Sequence, residues 1–427
     1  VAVDTSATKA LGLLDVTNAG IRISNPNEFA LLGDVSKKDK DFALSSDIDL
    51  EDSGIWIGPE NYSGHFYGNG YTIKNLVLQP SGSSSNRNLG LFKSVRSNAE
   101  IKDFTLEVST VNETSIYAGG IFFGGVVGTL PTAGTGGVAA ATNVIIEKVV
   151  VKGTLAIGGT NDYLDIGGVI GVMEHGTSVE IKRCVSELDI ALNGTAPNTK
   201  TFCSFGGLVG TTTGILLIEN SYATGTINVY HNSGDLMLRA GGFVGSTWKG
   251  SAADGGFITI NNSYTAGTII AEKNSTTGWS VSGSYTELSA GGFLGSLSGD
   301  ANDSTITISN SAALNGSVLA LCSTSPTTTY GSFGITRANY GRLIGSVFNN
   351  AASGVSVSGN IALESMKLGY TTPGSTFSGT SDANGREGET VTAETLKTPG
   401  YWTTTLNWDA NIWDFSKVST GSLPTLK

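Results

Sequence analysis

The sequence predicts an all-β chain folded as a right-handed parallel β-helix, a β-solenoid, with a short N-terminal capping helix and an aromatic C-terminal cap. Three observations predict it. A glycine-rich motif returns at loop-variable spacing, apolar residues inside each copy alternate with period two, and a helical period is absent from the copies. The expected organisation is a single solenoid over residues 1–427, with a cap and first strands over about 20–85, repeats over about 86–367 and a C-terminal cap over about 391–427.

The repeat carries the prediction. Gly-Gly-apolar-apolar-Gly occurs as Gly124-Gly125-Val126-Val127-Gly128, Gly167-Gly168-Val169-Ile170-Gly171, Gly206-Gly207-Leu208-Val209-Gly210, Gly241-Gly242-Phe243-Val244-Gly245 and Gly291-Gly292-Phe293-Leu294-Gly295. A sixth copy, Gly341-Arg342-Leu343-Ile344-Gly345, has lost its second glycine, and a degenerate earlier one reads Leu89-Gly90-Leu91-Phe92. First glycines of the six copies are 43, 39, 35, 50 and 50 residues apart, a spread that suits strands joined by loops of free length and not helical hairpins. The second glycines, Gly125, Gly168, Gly207, Gly242 and Gly292, are expected where backbone passes close to backbone or turns to positive φ.

A second block follows each copy: Ile218-Glu219-Asn220-Ser221-Tyr222, Ile260-Asn261-Asn262-Ser263-Tyr264 and Ile308-Ser309-Asn310-Ser311-Ala312 are the clearest. Its alternation predicts short half-buried strands. One repeat cannot bury its apolar face alone, so copies should stack in register and pair as parallel sheets, and parallel crossovers are right-handed. Stacking leaves two roles open for Asn220, Asn262 and Asn310: an internal amide ladder, or support of each repeat's own tight turn.

Open strand edges at the ends of a stack need covering. Asn25-Pro26-Asn27-Glu28 supplies an N-cap, a proline at the first helical position and a glutamate at the third, predicting a helix over Pro26 to Leu32. Trp402, Trp408 and Trp413 fall together near the other end, as an aromatic plug on the last coil would require.

With the repeats in view, Gly206-Gly207-Leu208-Val209-Gly210 followed by Ile218-Glu219-Asn220-Ser221-Tyr222-Ala223-Thr224-Gly225 resembles the GLUG motif of bacterial surface proteins. Phe42 to Leu50, Trp56-Ile57-Gly58-Pro59 and Phe66-Tyr67-Gly68-Asn69-Gly70 resemble the opening of such solenoids in Bacteroides-like gut bacteria, and Trp402 to Leu426 resembles their closing segment. Tyr67 stands where that turn usually has an aspartate, which argues against a metal there. The resemblance implies an exported, surface-displayed protein of adhesin type, without catalytic residues to carry over.

Composition excludes several other classes. Glycine is 59 of 427 residues and proline 9, so the glycines serve turns and not a collagen-like or proline-rich chain. A net charge of −11 would repel nucleic acid and anionic membranes. The apolar run Ala118 to Leu130 holds five glycines and is too short for a membrane helix, so it reads as buried strand. Cys184, Cys203 and Cys322 fit neither a zinc site nor a redox pair, leaving a free buried thiol expected. The opening at Val1 carries no charged or apolar leader, so any export signal is expected to have been removed or never to have been present, and the extracellular space or the bacterial surface is the expected location.

Function is expected on the polar excursions at 129–143, 191–204, 229–240, 246–257, 270–290, 319–338 and 368–390. Their Tyr230, His231, Trp248, Trp279, Tyr285 and Tyr330 are candidates to stack on sugars or anchor a protein, or else to cover the solenoid's own flank. Asp300, Asn302 and Asp303 place three oxygen donors in four residues and are a candidate Ca²⁺ site, without the spacing of a calcium loop; no other cofactor is expected. Asp47, Asp49 and Glu51 alternate with Ile48 and Leu50, a solvated strand face. His65, His175 and His231 form no His-Glu-x-x-His zinc motif. Glu174-His175-Gly176-Thr177-Ser178 echoes the His-Gly-x-Ser stretch of polygalacturonases, but their paired aspartates are absent. The expectation is therefore a non-catalytic, monomeric adhesin or binding scaffold for a glycan or an extracellular host protein. The alternatives are a polysaccharide-active β-helix enzyme, marked by a groove lined with carboxylates and an arginine, and a structural spacer.

Overall fold

The structure, a computed structural model, describes residues 20–79, 87–113, 120–134, 139–159, 163–194, 201–231, 236–247, 256–273, 286–297, 305–322, 336–347, 354–370, 374–379 and 381–427. It is all-β, with nearly every strand pairing parallel. One sheet gathers 23 strands and two others hold seven each.

Each strand pairs with its counterpart one repeat further on. The strands entering the Gly-Gly pairs, among them Gly120–Gly124, Tyr163–Gly167, Thr201–Gly206, Leu236–Gly241 and Thr286–Gly291, make one seven-stranded sheet. Those leaving them, Val127–Leu130, Ile170–Met173, Val209–Thr212, Val244–Thr247 and Leu294–Leu297 included, make the other. The degenerate copy contributes to both, through Arg87–Leu89 and Phe92–Ser94. The second block builds the large sheet, with Ile181, Ile218, Ile260 and Ile308 in one column. Between the sheets runs a continuous core in which Val169, Leu208, Phe243 and Phe293 are fully buried and successive copies hydrogen-bond, as Val169 N–H does to the Leu208 carbonyl.

The glycine expectation resolves as close approach. A Cβ on Gly242 would lie 2.0 Å from the Gly292 carbonyl oxygen, and one on Gly207 2.1 Å from that of Gly242, so each repeat's turn rests on the next without room for a side chain. The asparagines resolve as turns: Asn220, Asn262 and Asn310 sit at φ of 49°, 48° and 48°, the left-handed region that asparagine tolerates best after glycine. An internal ladder exists one residue on and belongs to serine. Cys184 N–H donates to Ser221 Oγ, Ser221 N–H to Ser263 Oγ, Ser263 N–H to Ser311 Oγ and Ser311 N–H to Asn360 Oδ1.

The N-terminal cap forms as a helical turn at Pro26–Phe29 followed by a 3-10 turn at Ala30–Gly33. Glu28 N–H donates to Asn25 Oδ1 while the Glu28 carboxylate accepts from Ser24 N–H, a reciprocal cap that seats Phe29 and Leu32 in the core.

The C-terminal expectation is corrected. The tail does not plug the last repeat; it lies along the flank of several. An outward column of Val185, Tyr222, Tyr264, Ala312 and Ile361 would expose a long apolar stripe, and Trp402, Trp408 and Trp413 bury it. Trp413 Nε1–H donates to Asn220 Oδ1, Trp408 Nε1–H to the Asn310 carbonyl, and the Tyr264 hydroxyl to the Pro424 carbonyl. None of the three cysteines forms a disulfide, and burial pushes the Cys184 thiol up to about 12. No helix among the described residues is long and apolar enough to cross a membrane.

Candidate binding groove

Strand alternation decides which side chains meet. In Tyr163–Gly167, Leu164 and Ile166 point into the core, which leaves Tyr163 and Asp165 on the outer face. Past the turn, Ile170 and Met173 go inward and Val172 outward. Because pairing is in register, these outward positions become straight columns. One sheet presents Phe122, Asp165, Ser204, Arg239 and Ser289; the other presents Thr129, Val172, Thr211, Ser246 and Ser296.

The two columns meet across the crease between the sheets. Thr211 Oγ1–H donates to the Asp165 carboxylate, the Ser204 and Ser246 hydroxyls lie 2.9 Å apart, and Thr211 and Ser246 hydroxyls 3.3 Å apart. Deeper in, Arg239 Nε–H donates to Glu287 Oε2 at 2.7 Å and Ser296 donates to the other oxygen at 2.6 Å, with both ionic side chains almost wholly buried. Such a pair contributes little net stability but would cost several kcal/mol if one partner were lost.

Above this polar floor opens a cleft of about 650 Å³, lined by Thr132, Tyr163, Asp165, Val172, Met173, Glu174, His175, Phe202, Ser204, Thr211, Thr213, Arg239 and Ser246. Tyr163 and Phe202, neighbours on adjacent strands, stack with centroids 5.2 Å apart and planes 5° from parallel, and Tyr163 remains 46% exposed. Glu174, on the turn after Ile170–Met173, accepts from Thr132 N–H at 2.7 Å. Burial pushes the Asp165 carboxyl up to about 6, against hydrogen bonds from Thr211 and Ser204 and the charge of Arg239. A carboxyl held so far from its ordinary range in a cleft marks a functional candidate.

The sequence-predicted residues fall elsewhere. Tyr230 and His231 lie in the strand Ile227–His231 and not in an excursion. His231 is fully buried with neither ring nitrogen hydrogen-bonded, and burial, aided by the charge of Lys273, drives it down to about 4 and keeps the ring neutral. It faces the interior and presents nothing to a ligand. Trp248, Trp279, Tyr285, Tyr330 and the candidate calcium donors Asp300, Asn302 and Asp303 lie outside the described residues. Asp47, Asp49 and Glu51 are exposed beside buried Ile48 and Leu50, the solvated face expected. Among the described residues singled out from sequence, only Glu174 and His175 reach the cleft.

These features define a repeat-built, parallel all-β protein with a cleft between two sheets. No family model and no curated protein matches the chain. Among solved structures it is similar to a candidate immunoglobulin A1 protease from Bacteroides ovatus, at 19% identity and a TM-score of 0.52, over 96% of this chain and 93% of that one. That likeness is one of fold. It is also matched by a structure named IgA1 protease, at 16% identity and a TM-score of 0.37, over 70% of this chain and 22% of that one.

Proposed function

We propose that the chain is a right-handed β-solenoid of the GLUG type, displayed outside the cell, whose crease between the two seven-stranded sheets binds glycan. The supporting observation is the stacked Tyr163 and Phe202 pair at the mouth of a cleft floored by hydroxyls and one carboxyl. Flat aromatic surface beside convergent hydrogen-bonding groups is the chemistry a sugar ring requires, with apolar C–H faces on one side and hydroxyls on the other. The register of the repeats supports the solenoid reading, and parallel crossover rules support its hand. A glycan array followed by calorimetry on each hit tests the binding. Tyr163→Ala should weaken binding at least tenfold, about 1.4 kcal/mol, without moving the melting temperature by more than a degree or two. Binding indifferent to that change would place the sugar elsewhere.

A second reading, a polysaccharide-active enzyme, is favoured by one observation: Asp165 and Glu174 line the same cleft with Arg239. Asp165 at about 6 would be the proton donor and Glu174 the base. Release of reducing ends from any bound glycan, abolished by Asp165→Asn, would replace the scaffold reading with this one.

A further inference from the structure

Resting on the glycan-binding reading, we infer that the ligand is an uncharged, unbranched oligosaccharide of at least about three rings, lying across the strands along the direction in which repeats succeed one another. Four consecutive repeats line the cleft, from Thr132 through Tyr163 and Phe202 to Arg239. Three strand spacings of about 4.8 Å make it roughly 14 Å long. The cleft is open to solvent along that length, with about 650 Å³ of room, so a single extended chain can lie in it.

The backbone decides which polymer. A peptide that adds as a β-strand is held chiefly by main-chain hydrogen bonds to an open strand edge. Every strand along the cleft is paired on both sides: Tyr163–Gly167 with Gly120–Gly124 and Thr201–Gly206, and Ile170–Met173 with Val127–Leu130 and Val209–Thr212. The cleft therefore offers no strand edge; its accessible lining is mainly apolar, from Tyr163, Phe202 and Val172, with the partly exposed Thr132, Asp165, Glu174 and Thr213 beside it, a match for a chain that has both apolar C–H faces and hydroxyls. Charge narrows the class further. Asp165 and Glu174 would repel a uronate or sulfate, and Arg239 is already neutralised by Glu287. One hexose extends about one strand spacing, so the length fits about three rings.

The test is an array of neutral, uronate-bearing and sulfated chains of graded length, with calorimetry on the hits and on Tyr163→Ala, each protein checked by thermal melting. The expected result is binding to neutral chains alone, tightening several-fold per ring up to about three or four and flat beyond, and weakened in the variant. Preference for acidic chains, or a single ring held as tightly as a trimer, would overturn this inference and leave glycan binding standing. A folded protein that binds nothing on the array would overturn the glycan reading itself.

Discussion

Asp165 is retained at a cost that can be measured. Its carboxyl ionises near 3.8 when free and near 6 in the folded chain, mainly because it is buried. Between those values the folded protein holds a proton the unfolded chain has lost, so stability falls as pH rises through that window and stays low above it. Asp165→Asn should therefore raise the melting temperature at pH 7, by the equivalent of up to about 2–3 kcal/mol, and leave it unchanged near pH 3.5. Equal gains at both pH values in thermal melts would show that ionisation is not what the site strains against. A second residue-scale cost sits at the corner after each Ile-x block. Asp103, Lys148 and Arg183 hold φ of 62°, 54° and 52° where later repeats place asparagine, and Arg183 pairs with Glu147. Lys148 is exposed, so Lys148→Asn should stabilise by about 1 kcal/mol through relief of the left-handed backbone alone. Denaturant titration would reveal it as a higher midpoint at unchanged slope.

The repeat element owes its regularity to one tolerance, and the last copy shows where that tolerance ends. In Gly242 the missing side chain makes room for the next repeat's carbonyl 2.0 Å from where a Cβ would be, so Gly242→Ala should cost several kcal/mol. Arg342 occupies the equivalent position of the final copy. Its guanidinium turns over the end of the core, donating to Thr390 Oγ1 and to the Ala362 and Gly388 carbonyls, 4.4 Å from the Phe377 ring centroid. Arg342→Gly, which restores the motif, should destabilise by about 2–4 kcal/mol because those acceptors lose a buried charged donor. A stabilising effect in chemical denaturation would refute the capping role. The same contrast explains what could be read in advance. Gly-Gly-apolar-apolar-Gly announces the strand that leaves it, and Ile-x-Asn the strands on either side of its corner, by fixed spacing and alternation. The strand entering each Gly-Gly pair, such as Tyr163–Gly167, has only Leu164 and Ile166 to mark it, and segments like 191–204 and 229–240 read as polar excursions. The groove is built from that unmarked strand. Thr211 meets Asp165 across 46 residues of sequence, a juxtaposition that exists only once the register is known.

At the scale of the whole molecule the tail is a strap, and its contacts predict how the stack comes apart. Trp413 reaches back 193 residues to Asn220 and Trp408 98 residues to Asn310, so one segment ties together repeats that otherwise touch only their neighbours. Trp408 is nearly fully buried, against Trp402, Trp413 and Tyr264. Trp408→Ala should cost about 3–5 kcal/mol, the range for emptying a large aromatic site. The loss should be local, because stability in a stacked array is a sum over repeats and their interfaces. Hydrogen exchange should then show faster opening at Tyr222, Tyr264 and Ala312, whose outer column the strap covers, while amides of Phe66, Ile101 and Phe104 nearer the N-terminus keep their protection. The cleft, on the two seven-stranded sheets, should keep its affinity for any glycan bound by the unmodified chain. Uniform loss of protection from the first strand to the last would mean that the chain opens as one cooperative unit and that the strap holds no particular repeats.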